Sequence, residues 1–495
     1  MAVYAVVSHL KILRLFLRIV GVVTQLLISI LTYRTFRKFV TENTAFVIAV
    51  FYYNIIPKNS TVPDFSNMLL WFSTLVFLSF LEFSLNRGTS ACRPAFFLIA
   101  AGVSTSLLVL SYPTCIFVVL PGCIGIWLLS AAGNRLKNLL IYLGTCGVCG
   151  LGWLAYFLCH MSFRQFLDGL SEMLTDGSHD VGLLGKLKDN LSCLGETFPY
   201  LLVALVIALV FWCFFRFICR KNYRFFLLLI ISLILEQLFV WYRLQKHIEY
   251  PGFVYLRFPL WGIYCYFHCK KSSGELAPVY KALFWFGSIT SLFLLLAAFT
   301  ASNTMLYESA DYMAIGMLVS LCYAERETSE SPVFWKTFVL LFVGLAVIHK
   351  GFLLYNIYGH DTIFVTRQKA EEGPMAGIYG RYSDGYEYNI RGRLLDEFIP
   401  RGSKVLIASH KSIMYLQEDY VICNYSTIST PTIDERLFQY WTLYPDKVPE
   451  YIVWDKGSEG YIATNPEVNA RLVENAELLV DDEGLLIYRL PANPY

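Results

Sequence analysis

The feature that most constrains this chain is a succession of apolar runs, each about as long as a membrane is thick, filling residues 1–356. A helix crosses a bilayer with roughly 20 apolar residues. Twelve such spans can be read, near 15–33, 44–57, 66–85, 94–112, 113–130, 138–158, 198–215, 225–241, 252–267, 282–300, 307–323 and 337–356. The second is short. Only the Tyr112-Pro113 step divides the fourth from the fifth, because proline disfavours helix continuation. Charged residues make up 16% of the chain, against about 25% in ordinary soluble domains, and the deficit lies in these runs. The formal net charge of +2 and the lack of a dense basic tract argue against a nucleic-acid partner.

Lysine and arginine in the linkers set the expected orientation. One alternating set, 34–43, 86–93, 131–137, 216–224, 268–281 and 324–336, carries 16 of them; the other carries 6. The first set is expected in the cytoplasm, which places residues 359–495 outside the cell as a separate domain after the membrane domain of 1–358. Both chain ends then fall outside. The start carries Lys11 and Arg14 and has no signal-peptide pattern, so a further span upstream is expected.

The C-terminal stretch reads as a small α/β layer. Helical spacing covers 386–398, a second stripe runs from Ile433 to Tyr444, and 466–475 is a third helix. Strands are expected at Lys404–Ser409, Tyr420–Cys423, Tyr451–Trp454, Leu478–Val480 and Leu485–Arg489. No phosphate-binding glycine loop is present, so nucleotide binding has no support.

Most of the 13 cysteines sit inside apolar runs, where thiols behave as small hydrophobes. Cys146 and Cys149 form a C-x-x-C among Gly and Leu, with no His or Asp beside it. The loop 159–197 holds Asp168, Glu172, Asp176, His179 and Asp180, together with Phe163, Leu167 and Leu170 at helical spacing. It is expected to form an amphipathic surface helix. A divalent metal there is left open, and no other cofactor is expected.

Several stretches carry a family resemblance. They are Leu15–Phe39, Val62–Leu85 (VPDFSNMLLWFSTLVFLSFLEFSL), Leu98–Pro121, Gly373–Tyr379 (GPMAGIY), Ser403–Leu416 and Pro449–Lys456 (PEYIVWDK). In these and in the layout of spans, the chain resembles the GT-C class of integral membrane glycosyltransferases, close to the protein O-mannosyltransferase and lipid A aminoarabinose transferase groups. The resemblance implies transfer of a sugar from a polyprenyl-phosphate carrier to a lipid or glycan acceptor at the outer face of the plasma membrane. Such enzymes carry one more helix at the start and a first outside loop with a catalytic Asp, and neither is recognisable here.

An anionic leaving group needs a fixed cation and the acceptor hydroxyl needs a base. Arg257, about five residues into an apolar run, is the sharpest candidate for the donor phosphate; snorkelling to the headgroups is the plainer alternative. Arg243, Lys246 and His247 add positive charge at the same level, as phosphate ligands or as a loop touching headgroups. Glu236 is either an acceptor ligand or the partner of Arg243. Asp64, in a short outside loop, is a weak candidate for the base or else the cap of the following helix. Glu308 and Asp311, at the start of a span, fit the helix dipole as well as they fit a site.

Overall fold

The structure, a computed structural model, describes residues 13–55, 62–88, 92–174, 253–273, 277–300, 314–328, 367–371, 379–409, 412–425, 432–433, 435–458, 463–464 and 466–491, with scattered positions in 182–217 and at 340, 344 and 377. These residues form two compact units, one within Gly21–Thr362 and the other within Met1–Val20 together with Ile363–Tyr495. The expected span at 225–241, and most of those at 198–215 and 337–356, lie outside the described residues.

The first unit is helical. In chain order it contains α1 (Leu13–Phe36) from Gly21 on, α2 (Glu42–Asn54), α3 (Phe65–Leu85), α4 (Cys92–Ser111), α5 (Val119–Leu129), α6 (Arg135–Leu158), α7 (Phe163–Leu174), α8 (Phe253–Ser273), α9 (Pro278–Thr300) and α10 (Ala314–Thr328). Among the described residues, five helices are long and apolar enough to cross a membrane: Phe16–Phe36, α3, α4, Ala132–Leu158 and α9. Pro113 ends α4 as the sequence predicts, and a short 3₁₀ turn over Pro113–Val118 leads into α5.

Helix boundaries follow side-chain chemistry. Thr41 caps α2 and Asp64 caps α3, each accepting a backbone N–H three residues on. Gln25, buried midway along α1, donates its Nε2 to the Tyr52 and Ile55 carbonyls at 2.9 and 3.1 Å. Its Oε1 accepts from the Trp71 indole on α3. A buried helix end needs such partners for its last carbonyls. Small residues let helices approach closely: a Cβ at Gly125 would collide with Phe286, and one at Gly287 with Val319. One turn of α9, Leu283–Ile289, is π-helical where these contacts converge.

Contacts sort the linkers into two ends. At one, Lys38 meets Glu82, the Thr41 N–H donates to Glu325, Arg87 donates to the Leu129 carbonyl, and Arg326 stacks on Tyr280. At the other, Phe65 stacks on Tyr112 and Thr114 donates to the Ala297 carbonyl. The basic linkers described here thus share one end of the bundle, the alternation that up-and-down helices require.

The second unit is a mixed sheet with helices on both faces. Its elements are β1 (Arg367–Lys369), β2 (Tyr379–Arg381), α11 (Tyr382–Phe398), β3 (Lys404–Ala408), β4 (Val421–Ile422), β5 (Thr432–Ile433), α12 (Glu435–Leu443), β6 (Tyr451–Asp455), β7 (Ala463–Thr464), α13 (Pro466–Val473), β8 (Glu477–Asp482) and β9 (Leu485–Arg489). The main sheet runs β4-β3-β6-β9-β8, parallel from β4 to β6 and antiparallel beyond. Val405 and Ile407 face Leu395 of α11 and Ile399 just after it, while Leu406 and Ala408 face Leu437 and Trp441 of α12. A strand buried on both faces is apolar at every position, which is why KVLIA reads as it does. The helical stripe expected from Ile433 begins later: Ile433 belongs to β5, paired with β7, and the helix starts at Glu435. The β8–β9 turn is Glu483-Gly484 with φ of 47° and 74°, the backbone of a two-residue hairpin.

Candidate functional site

Of the residues picked out from the sequence, the structure places Asp64 most fully. Its Oδ1 accepts from the Asn67 backbone N–H at 2.8 Å and from Asn67 Nδ2 at 2.9 Å. That is the helix-cap alternative. Arg257 is carried on the second turn of α8, in a helix that ends at its far side with Lys270 and Lys271. Glu236, Arg243, Lys246 and His247 lie outside the described residues, as do Glu308, Asp311, His179 and Asp180. The helix expected in 159–197 is present as α7, where Asp168 is exposed and pairs with Arg164 at 4.0 Å. Among the described residues no three His, Cys, Asp or Glu side chains gather as a metal ion would require.

Two buried charge clusters stand out instead, one in each unit. The first closes the basic end of the bundle. Glu82, four residues from the end of α3, is 8% exposed. It accepts from Thr35 Oγ1 at 2.9 Å, from Lys38 Nζ on both oxygens and from Asn86 Nδ2 at 3.1 Å. Beside this pair opens a cavity of about 400 Å³ lined by Lys38, Glu82, Asn86, Arg93, Phe96 and Phe97. Its signal in the sequence is one acid inside the apolar run FLSFLEFSL, an expensive residue at that depth unless it has a partner.

The second cluster lies at the carboxyl ends of β3 and β6. Asp455 is fully buried; its Oδ2 accepts from Ser409 Oγ at 2.7 Å and sits 3.1 Å from Arg391 Nη1. Its Oδ1 accepts from the Gly457 N–H at 3.0 Å, and Arg391 Nη2 reaches the Glu483 carbonyl at 3.4 Å. The chain leaves β3 for β4 on one side and returns to β6 on the other, so this is the point where strand order reverses, the usual place for a ligand in open α/β sheets. There Arg391, Ser409 and the Gly457 N–H gather on the Asp455 carboxylate. Nearby, burial pushes the Cys423 thiol up to about 12, which keeps it protonated and unreactive near neutral pH. Asn424, within an Asn-Tyr-Ser glycosylation pattern, is 6% exposed and so badly placed to accept a glycan.

No known family model matches the chain, and no curated protein matches it. The functional reading therefore rests on the residues themselves and on the resemblance they carry.

Proposed function

We propose that this chain is a multi-pass plasma-membrane glycosyltransferase of the GT-C kind, moving a sugar from a polyprenyl-phosphate carrier to a lipid or glycan acceptor on the outer side. The observation that carries the reading is Arg257, on the second turn of α8 at the end away from Lys270 and Lys271. A cation so placed is costly in lipid and commonly faces a cavity or a ligand. It suits a departing polyprenyl phosphate, whose developing charge needs a fixed donor. Two further features support the reading. The helical unit is followed by a sheet unit, as in the resembled enzymes. The basic linkers gather at one end, which leaves Arg257 toward the outer face. Twelve spans complete the proposed layout.

A second reading, a non-catalytic protein that binds the lipid carrier, is favoured by Asp64, whose carboxylate is committed to a helix cap. One assay separates the two. Membranes holding the full chain are given a labelled polyprenyl-phosphate sugar, and both product and bound donor are measured. The transferase reading expects product, reduced about a hundredfold in Arg257→Ala. Donor binding without turnover, lost in the same variant, would favour the second reading. Unchanged binding and turnover in Arg257→Ala would defeat both.

A further inference from the structure

We propose that the cavity between the ends of α1, α3 and α4 binds the phosphate head of an anionic membrane phospholipid. The charges motivate this. Glu82 already accepts hydrogen bonds from Thr35, Lys38 and Asn86, so its charge is matched within the protein. Lys38 is nonetheless half exposed, with a side-chain accessibility of 48%, and an ammonium carries three donors. Arg93, also lining the cavity, makes no ion pair among the described residues. The cavity is thus net positive, with an ammonium, a guanidinium fork and one acid already occupied.

Shape and surroundings select a lipid over a free anion. A volume of about 400 Å³ falls in the range of small-molecule sites. Phe96 and Phe97 make one wall, and Phe96 is 63% exposed on a helix apolar enough to span a membrane. A head bound by Lys38 and Arg93 would therefore lay its hydrocarbon chain along Phe96. Helix ends are the depth at which headgroups lie, and basic pockets between membrane helices attract acidic heads. This site is at the opposite end of the bundle from Arg257 and does not depend on the transferase reading.

The test uses full-length protein in nanodiscs, released for native mass spectrometry, with phosphatidylglycerol and phosphatidylcholine as probes. Retention of phosphatidylglycerol in preference to phosphatidylcholine is expected, weakened roughly tenfold in Arg93→Gln, since a charge-assisted hydrogen bond is lost. Arg93 is exposed, so that variant keeps its fold. Phe96→Ser should weaken retention without abolishing the preference for the acidic head. Equal retention of the two lipids, or unchanged retention in Arg93→Gln, would overturn the proposal. So would displacement by millimolar inorganic phosphate, which would assign the cavity to a soluble anion.

Discussion

The two buried ion pairs of this molecule are built from the same chemistry and behave as opposites. Lys38–Glu82 ties α1 to α3 beside an open cavity, and its cation keeps half its surface accessible. Arg391–Asp455 ties α11 to β6 with side-chain accessibilities of 10% and 0%. Burying a charge costs several kcal/mol, repaid only where partners surround it. In the sheet unit both charges are enclosed, and Ser409, Gly457 and the Glu483 carbonyl join the pair. In the helical unit only the acid is enclosed, and the cation still reaches outward. A closed pair of this kind fixes a fold, whereas a half-open one can also hold a ligand.

The sharpest way to break this contrast is at Asp455. Asp455→Ala leaves Arg391 buried without its carboxylate and should cost about 3–5 kcal/mol. Hydrogen exchange in the full chain would show β3 and β6 losing protection while α3 and α4 keep theirs. Replacing both partners with apolar residues, Arg391→Met with Asp455→Leu, should recover most of the loss. If the single variant leaves exchange unchanged, the pair is not what holds α11 to the sheet.

A smaller effect is expected at Glu82. Glu82→Gln removes the charge and leaves one acceptor oxygen, enough for the hydrogen bond from Thr35 or the one from Asn86 but not both. Lys38 can then turn toward headgroups by snorkelling, so the cost should be about 1–2 kcal/mol. The melting temperature of detergent-purified protein measures it. A loss as large as that of Asp455→Ala would mean that Lys38 is as enclosed as Arg391, and the contrast would fail.

How much of this was legible beforehand depends on the distance over which each signal acts. The apolar helices could be read because membrane length writes itself into consecutive residues, and Pro113 marked its own break. The strands β3 and β6 could be read for a like reason, being buried on both faces. Ile433 was misassigned because one buried apolar residue fits a strand and a helix equally well. Glu82 and Lys38 lie 44 positions apart, and nothing local links them. Gln25 is one polar residue within a span, and nothing local marks its bonds to the Tyr52 and Ile55 carbonyls at the end of α2. The role of Asp64 was legible only as two alternatives, since a base and a cap need the same residue type in the same place.

Asp64 supplies the mildest member of the series, a carboxylate with neutral partners and part of its surface free. If its work is capping, Asp64→Ser should be nearly silent, because a serine oxygen accepts the same N–H. Asp64→Ala should then cost about 1 kcal/mol and lower the melting temperature slightly. Sugar transfer in membranes adds the deciding readout. Under the capping account, Asp64→Ser transfers sugar at the wild-type rate. If it instead melts normally but loses transfer by two orders of magnitude or more, the scale of a lost general base, the carboxylate is chemical. Asp64 would then leave the ranking by burial and become a catalytic residue that also happens to cap α3.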